Sequence, residues 1–141
     1  MYLPDRIRKK VDKLAYGINS VGMSGASVLC YDDMVLKIGR DAEDHERSKA
    51  MLSYLECKLP APRIIEECEE NGICYMLMTR IKGKMACAGE YIDNAAELLP
   101  ILADGIKLLW RVDTHGCPQQ NMLDTKLTHA RRSVELGLCD E

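Results

Sequence analysis

One lysine inside a strand-like apolar run is the first feature of this sequence that can do chemistry. The run is "MVLKI", residues 34–38, and its only cation is Lys37. Alternate residues of a strand share a face, so Val35 and Lys37 point the same way. An apolar neighbour of this kind can cover a flat aromatic ring while the lysine reaches anionic oxygens beside it. The alternative is a solvent-facing lysine on an edge hairpin.

A segment of small residues precedes this strand and supplies a second part of the same chemistry. It reads "GMSGAS", residues 22–27, and its small side chains let backbone N–H groups approach a phosphate closely. An apolar cover, a cation and a backbone cradle are together what a nucleoside triphosphate needs. The local pattern therefore favours a nucleotide site with Lys37 beside the phosphates.

Composition bounds the class of protein. The chain has 141 residues, 47% hydrophobic and 29% charged, which fits one folded domain of ordinary size. The net charge of −3 gives no basic footprint for nucleic acid. No apolar run reaches the roughly 20 residues of a membrane helix, and the N-terminal segment lacks the apolar stretch of a signal peptide. We therefore expect neither a nucleic-acid partner nor a membrane span.

The cysteine pattern argues against a metal site. Seven cysteines are present, and no two of them have Cys-x-x-Cys spacing. His115 and Cys117 are close in sequence, but two isolated ligands do not make a site. We therefore expect free thiols, no metal centre and a reducing cytoplasmic location.

Periodicity predicts an α+β fold with an antiparallel sheet, because strands and helices occur in groups rather than in alternation. We expect Gly17 to end the first helix and Gly137 to end the last one. Pro100 suits a first helical turn, so its helix should start late or kink. The predicted elements are a helix over 4–15, strands over 27–31 and 34–38, a helix over 42–58, strands over 63–68 and 73–79, and helices over 94–112 and 122–137.

Several segments, in a fixed order, resemble the N-terminal half of bacterial aminoglycoside 3'-phosphotransferases, antibiotic kinases with a protein-kinase-like fold. The matching stretches include "GMSGASV", "VLKIG", "MLSYLECKLPAPRII", "CYMLMTRIKG" and "CPQQNMLDTKL", and the resemblance runs from about residue 18 to the end. It implies a nucleotide-binding N-lobe with one packed helix over 1–81, a linker over 82–93, and the first helices of a C-lobe over 94–141.

The resemblance also implies roles for individual residues. Lys37 would bind the α- and β-phosphates of ATP, and the small-residue turn would form the phosphate loop. Two valines would cover the adenine, a methionine would back it, and backbone groups of residues 79–81 would face its edge. The nucleotide-binding residues implied in this way are Met23, Ser24, Gly25, Val28, Val35, Lys37, Met78, Thr79, Arg80 and Ile81.

The sequence departs from the family pattern at two matched positions. A kinase-like lysine needs a carboxylate from the neighbouring helix, but Ser48 stands at that place. Asp44, one turn earlier on about the same face, or Glu46 could compensate, and helical geometry favours Asp44 slightly. At a second position, Trp110 replaces a histidine of the family.

The catalytic loop of the family is missing from these 141 residues. That loop carries a histidine-glycine-aspartate triplet and then magnesium ligands, whereas no His-x-Asp triplet occurs here. We therefore expect a truncated ATP-binding portion that is inactive alone, with Mg²⁺ and an aminoglycoside bound only by the intact enzyme. The alternative is a non-catalytic, pseudokinase-like remnant, and a third option is an α+β domain without a ligand. The C-terminal helices would expose apolar faces and invite self-association.

Overall fold

The computed structural model describes residues 2–19, 26–119 and 122–138. The predicted phosphate-loop residues Met23, Ser24 and Gly25 lie outside these ranges. The elements are α1 (Asp5–Val11), β1 (Gly17–Asn19), β2 (Ser27–Cys30), β3 (Met34–Gly39), α2 (Ala42–Leu55), β4 (Ile64–Glu70), β5 (Ile73–Thr79), α3 (Gly89–Ile92), α4 (Ala95–Trp110) and α5 (Met122–Glu135).

The five strands form one antiparallel sheet in the order β1-β2-β3-β5-β4. The two aspartates at 32 and 33 form the predicted hairpin turn, where Tyr31 N–H donates to the Met34 carbonyl at 2.9 Å. Asn71 and Gly72 both have positive φ, at 54° and 70°, which is typical of the tight turn that joins β4 to β5. The predicted α+β class with an antiparallel sheet is confirmed.

One face of the sheet packs against α1 and forms the core. Leu36 of β3 and Leu77 of β5 are paired across the sheet, and both are completely buried. Ile7 and Val11, one turn apart on α1, cover this face. Burying an aliphatic side chain contributes roughly 1.5–3 kcal/mol, so this face is the main source of stability among the described residues.

The opposite face of the sheet carries α2. The Asp41 side chain caps this helix by accepting a hydrogen bond from the Asp44 N–H at 2.9 Å. Cys57 follows the last turn with a φ of 65°, and the prolines at 60 and 62 keep the chain extended. All residues of α2 are described, and none is fully buried. Its attachment to the sheet therefore depends less on apolar packing than that of α1.

The C-terminal helices follow the prediction in outline. α4 begins at Ala95, where the Asn94 side chain accepts a hydrogen bond from Glu97 N–H. The helix does not start late, since Pro100 stands inside it. α5 ends in a Schellman turn at Gly137, which has a φ of 65° and whose successor Leu138 donates to the Ser133 carbonyl at 2.9 Å. No helix in the described part of the chain is long and apolar enough to cross a membrane.

Three local predictions were wrong or incomplete. The first helix ends at Val11, because Lys13 adopts a positive φ of 62°, and Gly17 instead opens β1. β1 was not predicted, since its three residues are held by pairing with β2 rather than by a pattern of their own. The short helix α3 lies in the segment that was predicted to be a linker.

Candidate functional site

Lys37 belongs to a row of side chains that crosses the sheet. The strand register aligns Asn19, Val28, Lys37, Met76 and Glu67 from β1 to β4. Directly opposed residues share a face, so this row looks toward α2 and away from the core. The described part of β1 ends in this row, and β2 begins within one residue of it. The ammonium group is therefore on the sheet face that α2 covers, near the described end of β1 and the beginning of β2.

A carboxylate from α2 meets this lysine. Lys37 Nζ donates a hydrogen bond of 2.7 Å to Asp44 Oδ2, and the two side chains are 27% and 43% exposed. The hydrogen bond from Lys37 lowers the pKa of Asp44 below its ordinary value, against a smaller opposing effect of burial. Glu46, the other carboxylate considered, is instead near Lys49, at 4.0 Å. Of the two alternatives that the sequence left open, the structure brings Asp44 to Lys37.

Two cavities adjoin the Lys37–Asp44 pair. The larger has a volume of about 570 Å³, which is within the size range of small-molecule sites. It is lined by the charged pair, by methionines and by polar side chains of α2. The lining residues are Lys37, Asp44, Arg47, Ser48, Met51, Leu52, Met76, Met78 and Gln119. The smaller, of about 230 Å³, lies toward Gly39 and is lined by Ala26, Lys37, Gly39, Arg40, Asp41, Asp44, His45 and Cys74. The ion pair thus lies between a cavity that is lined by three methionines and one that is lined by Arg40, Asp41 and His45.

The predicted adenine residues are only partly gathered at these cavities. Met78 lines the larger one, and Val35 pairs with it across β3 and β5 on the same face. Val28 is on that face as well, opposite Lys37 in β2. Neither valine lines either cavity. The structure therefore places these three apolar side chains on the same sheet face as Lys37, but only Met78 lines a cavity.

The segment 79–81 begins at the last residue of β5. The N–H groups of Thr79 and Arg80 in this segment already donate hydrogen bonds to other residues. Thr79 N–H donates to the Arg63 carbonyl at 2.9 Å, so this N–H is not available to an adenine ring. Arg80 N–H donates to the Asp33 carbonyl at 2.9 Å, and its guanidinium donates to the Tyr31 carbonyl at 2.7 Å. Ile81 is 52% exposed. The N–H groups of Thr79 and Arg80 therefore hold the end of β5 in place.

Sequence reasoning missed the contribution of the segment after α4. The Tyr54 hydroxyl donates to the Asp113 carbonyl, which fixes this segment against α2. Gln119, six residues further on, lines the larger cavity. No sequence pattern could have indicated this contact, since it joins residues far apart along the chain. Ser48, by contrast, was recognisable from its position one turn after Asp44 on the same helix face.

The described residues offer no ready metal site at these cavities. No group of three or more His, Cys, Asp or Glu side chains is suited to hold a metal within the described ranges. Asp44 is bonded to Lys37, and Asp41 accepts the hydrogen bond that caps α2. Both carboxylates that line the smaller cavity are thus already engaged.

Comparison with known proteins identifies the family. A model of the phosphotransferase enzyme family matches residues 19–139. The chain belongs to this family. The five-stranded antiparallel sheet with α2 across one face is the arrangement expected for the kinase-like N-lobe of the phosphotransferase family.

Individual relatives carry a more specific name. Proteins named aminoglycoside 3'-phosphotransferase from Staphylococcus aureus and Enterococcus faecalis are each 28% identical to it over 99% of the chain. One of the same name from Niallia circulans is 34% identical over 63% of the chain and 34% of its own length. The chain spans about 57% of the length of the first two relatives. The resemblance drawn from the sequence motifs is therefore confirmed at the level of the family.

Proposed function

We propose that this chain carries the nucleotide-binding portion of an ATP-dependent aminoglycoside phosphotransferase. Membership of the phosphotransferase family and the names of the relatives support this reaction class. The observation that carries the proposal is the Lys37–Asp44 bond of 2.7 Å between two cavities, because a lysine held by a helix carboxylate is how kinases position the phosphates of ATP.

Each part of the site has a defined task in this proposal. The Lys37 ammonium binds the α- and β-phosphates, and Asp44 fixes the direction in which that ammonium points. Residues 23–25 supply backbone N–H groups to the phosphates. Val28, Val35 and Met78 contact the adenine faces, and the Thr79 carbonyl and Ile81 N–H bind its edge. Arg80 acts indirectly, by fastening the strand end to the 31–34 turn.

The proposed organisation follows from these roles. Residues 1–81 form the nucleotide-binding lobe, 82–93 the linker and 94–141 the first helices of the second lobe. Mg²⁺ and the aminoglycoside bind through groups of the intact family enzyme, because the described carboxylates near Lys37 are engaged. We also propose a cytoplasmic location, in keeping with the cysteines that the structure describes, all of which are free.

A titration with ATP, followed by backbone amide shifts in an NMR spectrum, tests the binding site. The expected shifts cluster in β3, the end of β5 and the first turn of α2, while α1 and α5 do not respond. Shifts spread over the whole chain, or centred on α1, would contradict this site.

A second candidate is a nucleotide-binding protein that transfers no phosphate. The observations that favour it are Ser48 and Trp110, the two matched positions at which the sequence departs from the family pattern. In this case ATP binds to the purified chain, but no aminoglycoside becomes phosphorylated in a radiolabel transfer assay. Saturable transfer by the purified chain would exclude the second candidate, and it would also contradict the expectation that the nucleotide-binding portion is inactive alone.

A further inference from the structure

A second charged contact attaches α2 to the sheet, and it stands outside the proposed nucleotide site. The Glu67 carboxylate on β4 forms an ion pair with the Lys49 ammonium through Oε1. Its other oxygen, Oε2, is buried, has no hydrogen-bond partner within the described ranges, and lies 3.6 Å from His45 Nε2. His45 is itself only 13% exposed. A carboxylate on the sheet therefore faces two basic side chains of the helix.

This contact is the reverse of the one that Lys37 makes. In the first, a strand cation meets the helix carboxylate Asp44; in the second, the strand carboxylate Glu67 meets the helix cation Lys49. The two strand residues belong to the same row, separated by Met76. Exchanging the two contacts would bring like charges together, so the pair of contacts disfavours the reversed orientation of α2.

The spacing of the two contacts agrees with helix and sheet geometry. Lys37 and Glu67 are two strand positions apart, which is roughly 10 Å. Asp44 and Lys49 are five residues apart on α2, a rise of about 7.5 Å along the helix axis and a rotation of about 140° around it, so the two side chains flank the side of the helix that faces the sheet. A helix that crosses the strands can thus meet both partners at once. A slip of α2 by one residue would turn Asp44 about 100° away from Lys37.

We propose that Glu67 is a positioning residue that, through Lys49 and His45, holds α2 at the rotation in which Asp44 meets Lys37. α2 needs such an anchor because none of its residues, all of them described, is fully buried. The importance of this anchor for ATP rests on the proposed function. The anchoring itself does not, and it is tested without a nucleotide.

The direction in which the pKa of Asp44 changes in the variant Glu67→Gln tests the proposal. Removing the negative charge at Glu67 acts through space to lower the pKa of Asp44, because one like charge is lost and the charge of Lys49 is left unbalanced. Loss of positioning acts the other way: it weakens the hydrogen bond from Lys37, which is the main cause of the lowered pKa of Asp44. We expect the pKa of Asp44, followed by carboxyl ¹³C NMR, to rise by about half a unit or more. An unchanged or lower pKa would overturn the proposal.

The neighbouring residue supplies a matched control. Glu66 is on the same strand, is similarly exposed at 26%, and pairs with Lys10 of α1 on the other face at 3.9 Å. Glu66→Gln removes the same charge without touching α2, and we expect the pKa of Asp44 to stay where it is or fall slightly. A rise as large as that of Glu67→Gln would mean general loosening and would also overturn the proposal.

A second measurement covers the case in which Glu67→Gln does not fold. Lys49→Gln changes a side chain that is 39% exposed and removes the anchor from the helix side. We expect acylation of the Lys37 amine, followed by peptide mass spectrometry, to become about threefold faster or more, because the amine loses its hydrogen bond to Asp44. Lys107, which is 59% exposed, serves as the internal reference. An unchanged Lys37 rate would overturn the proposal, whether or not the chain binds ATP.

Discussion

Replacing Lys37 with methionine should separate ATP affinity from stability. Methionine keeps an unbranched chain of similar length but removes the ammonium. A hydrogen bond to a charged group contributes about 1.5–3 kcal/mol, so losing one phosphate contact should raise the Kd for ATP roughly 10- to 150-fold. The pair with Asp44 is 27% and 43% exposed, and exposed ion pairs contribute about 0.2–1 kcal/mol. The free energy of unfolding should therefore fall by less than about 1 kcal/mol.

Two measurements on the same protein samples check this separation. Isothermal titration calorimetry gives the Kd for ATP, and urea denaturation gives the free energy of unfolding. Lys82→Met is the matched control, because Lys82 also pairs with an aspartate, Asp33, at 3.0 Å, but lines neither cavity beside Lys37. We expect the control to change neither quantity appreciably.

Two results would refute the reasoning. If Lys37→Met costs several kcal/mol of unfolding free energy, Lys37 is a structural residue and does not belong to a phosphate-binding site. If the Kd for ATP rises no more than in Lys82→Met, the Lys37 ammonium makes no contact with the phosphates.

Three further predictions concern other parts of the chain. Because Lys37 lowers the pKa of Asp44 from its ordinary value of 3.8, the pair stabilises the fold above that pH, and this contribution is lost as the pH falls through the lowered folded-state pKa. In Asp44→Asn, the free energy of unfolding should therefore depend less on pH below about pH 4. The difference should be less than about 1 kcal/mol in urea denaturation at several pH values. Leu36→Ala should cost about 2–5 kcal/mol in urea denaturation, since this side chain is completely buried; a cost under about 1 kcal/mol would contradict the core assignment. Leu99 and Leu109 of α4 are 63% and 59% exposed, so the chain should self-associate with increasing concentration, as measured by light scattering. The double variant Leu99→Lys, Leu109→Lys should stay monomeric. A wild-type chain that remains monomeric would contradict this prediction.

Strand positions were the most predictable part of the fold. The alternation in "MVLKI" placed Lys37 on one face and Leu36 on the other, as the structure has them. β5 was predicted with its observed bounds, Ile73–Thr79, because an unbroken apolar run bounded by a turn is a strong local signal. These predictions succeeded because the period of two is a property of the strand itself.

The partner of Lys37 was less predictable, because it depends on how a helix is rotated over a sheet. Helical spacing alone left both Asp44 and Glu46 open. The structure brings Asp44 to Lys37, and the further contact of Glu67 with Lys49 is consistent with that rotation. Gln119 was missed for the same kind of reason, since its place at the cavity depends on how the segment after α4 lies against α2, where Tyr54 contacts Asp113, and not on its neighbours in sequence.

The two faces of the sheet separate the apolar core from the proposed binding site. On one face, Leu36 and Leu77 are fully buried beneath α1, so substitutions there act on folding. On the other face, α2 contributes charged contacts and half-buried side chains, so substitutions there act mainly on where Asp44 meets Lys37. A helix attached by ion pairs can shift at a small cost in free energy, whereas α1 cannot leave without exposing the core. Lys37, the proposed phosphate-binding residue, is therefore oriented by the more weakly held of the two helices that cover the sheet, and if the proposal holds, variants of α2 should change ATP affinity long before they unfold the chain.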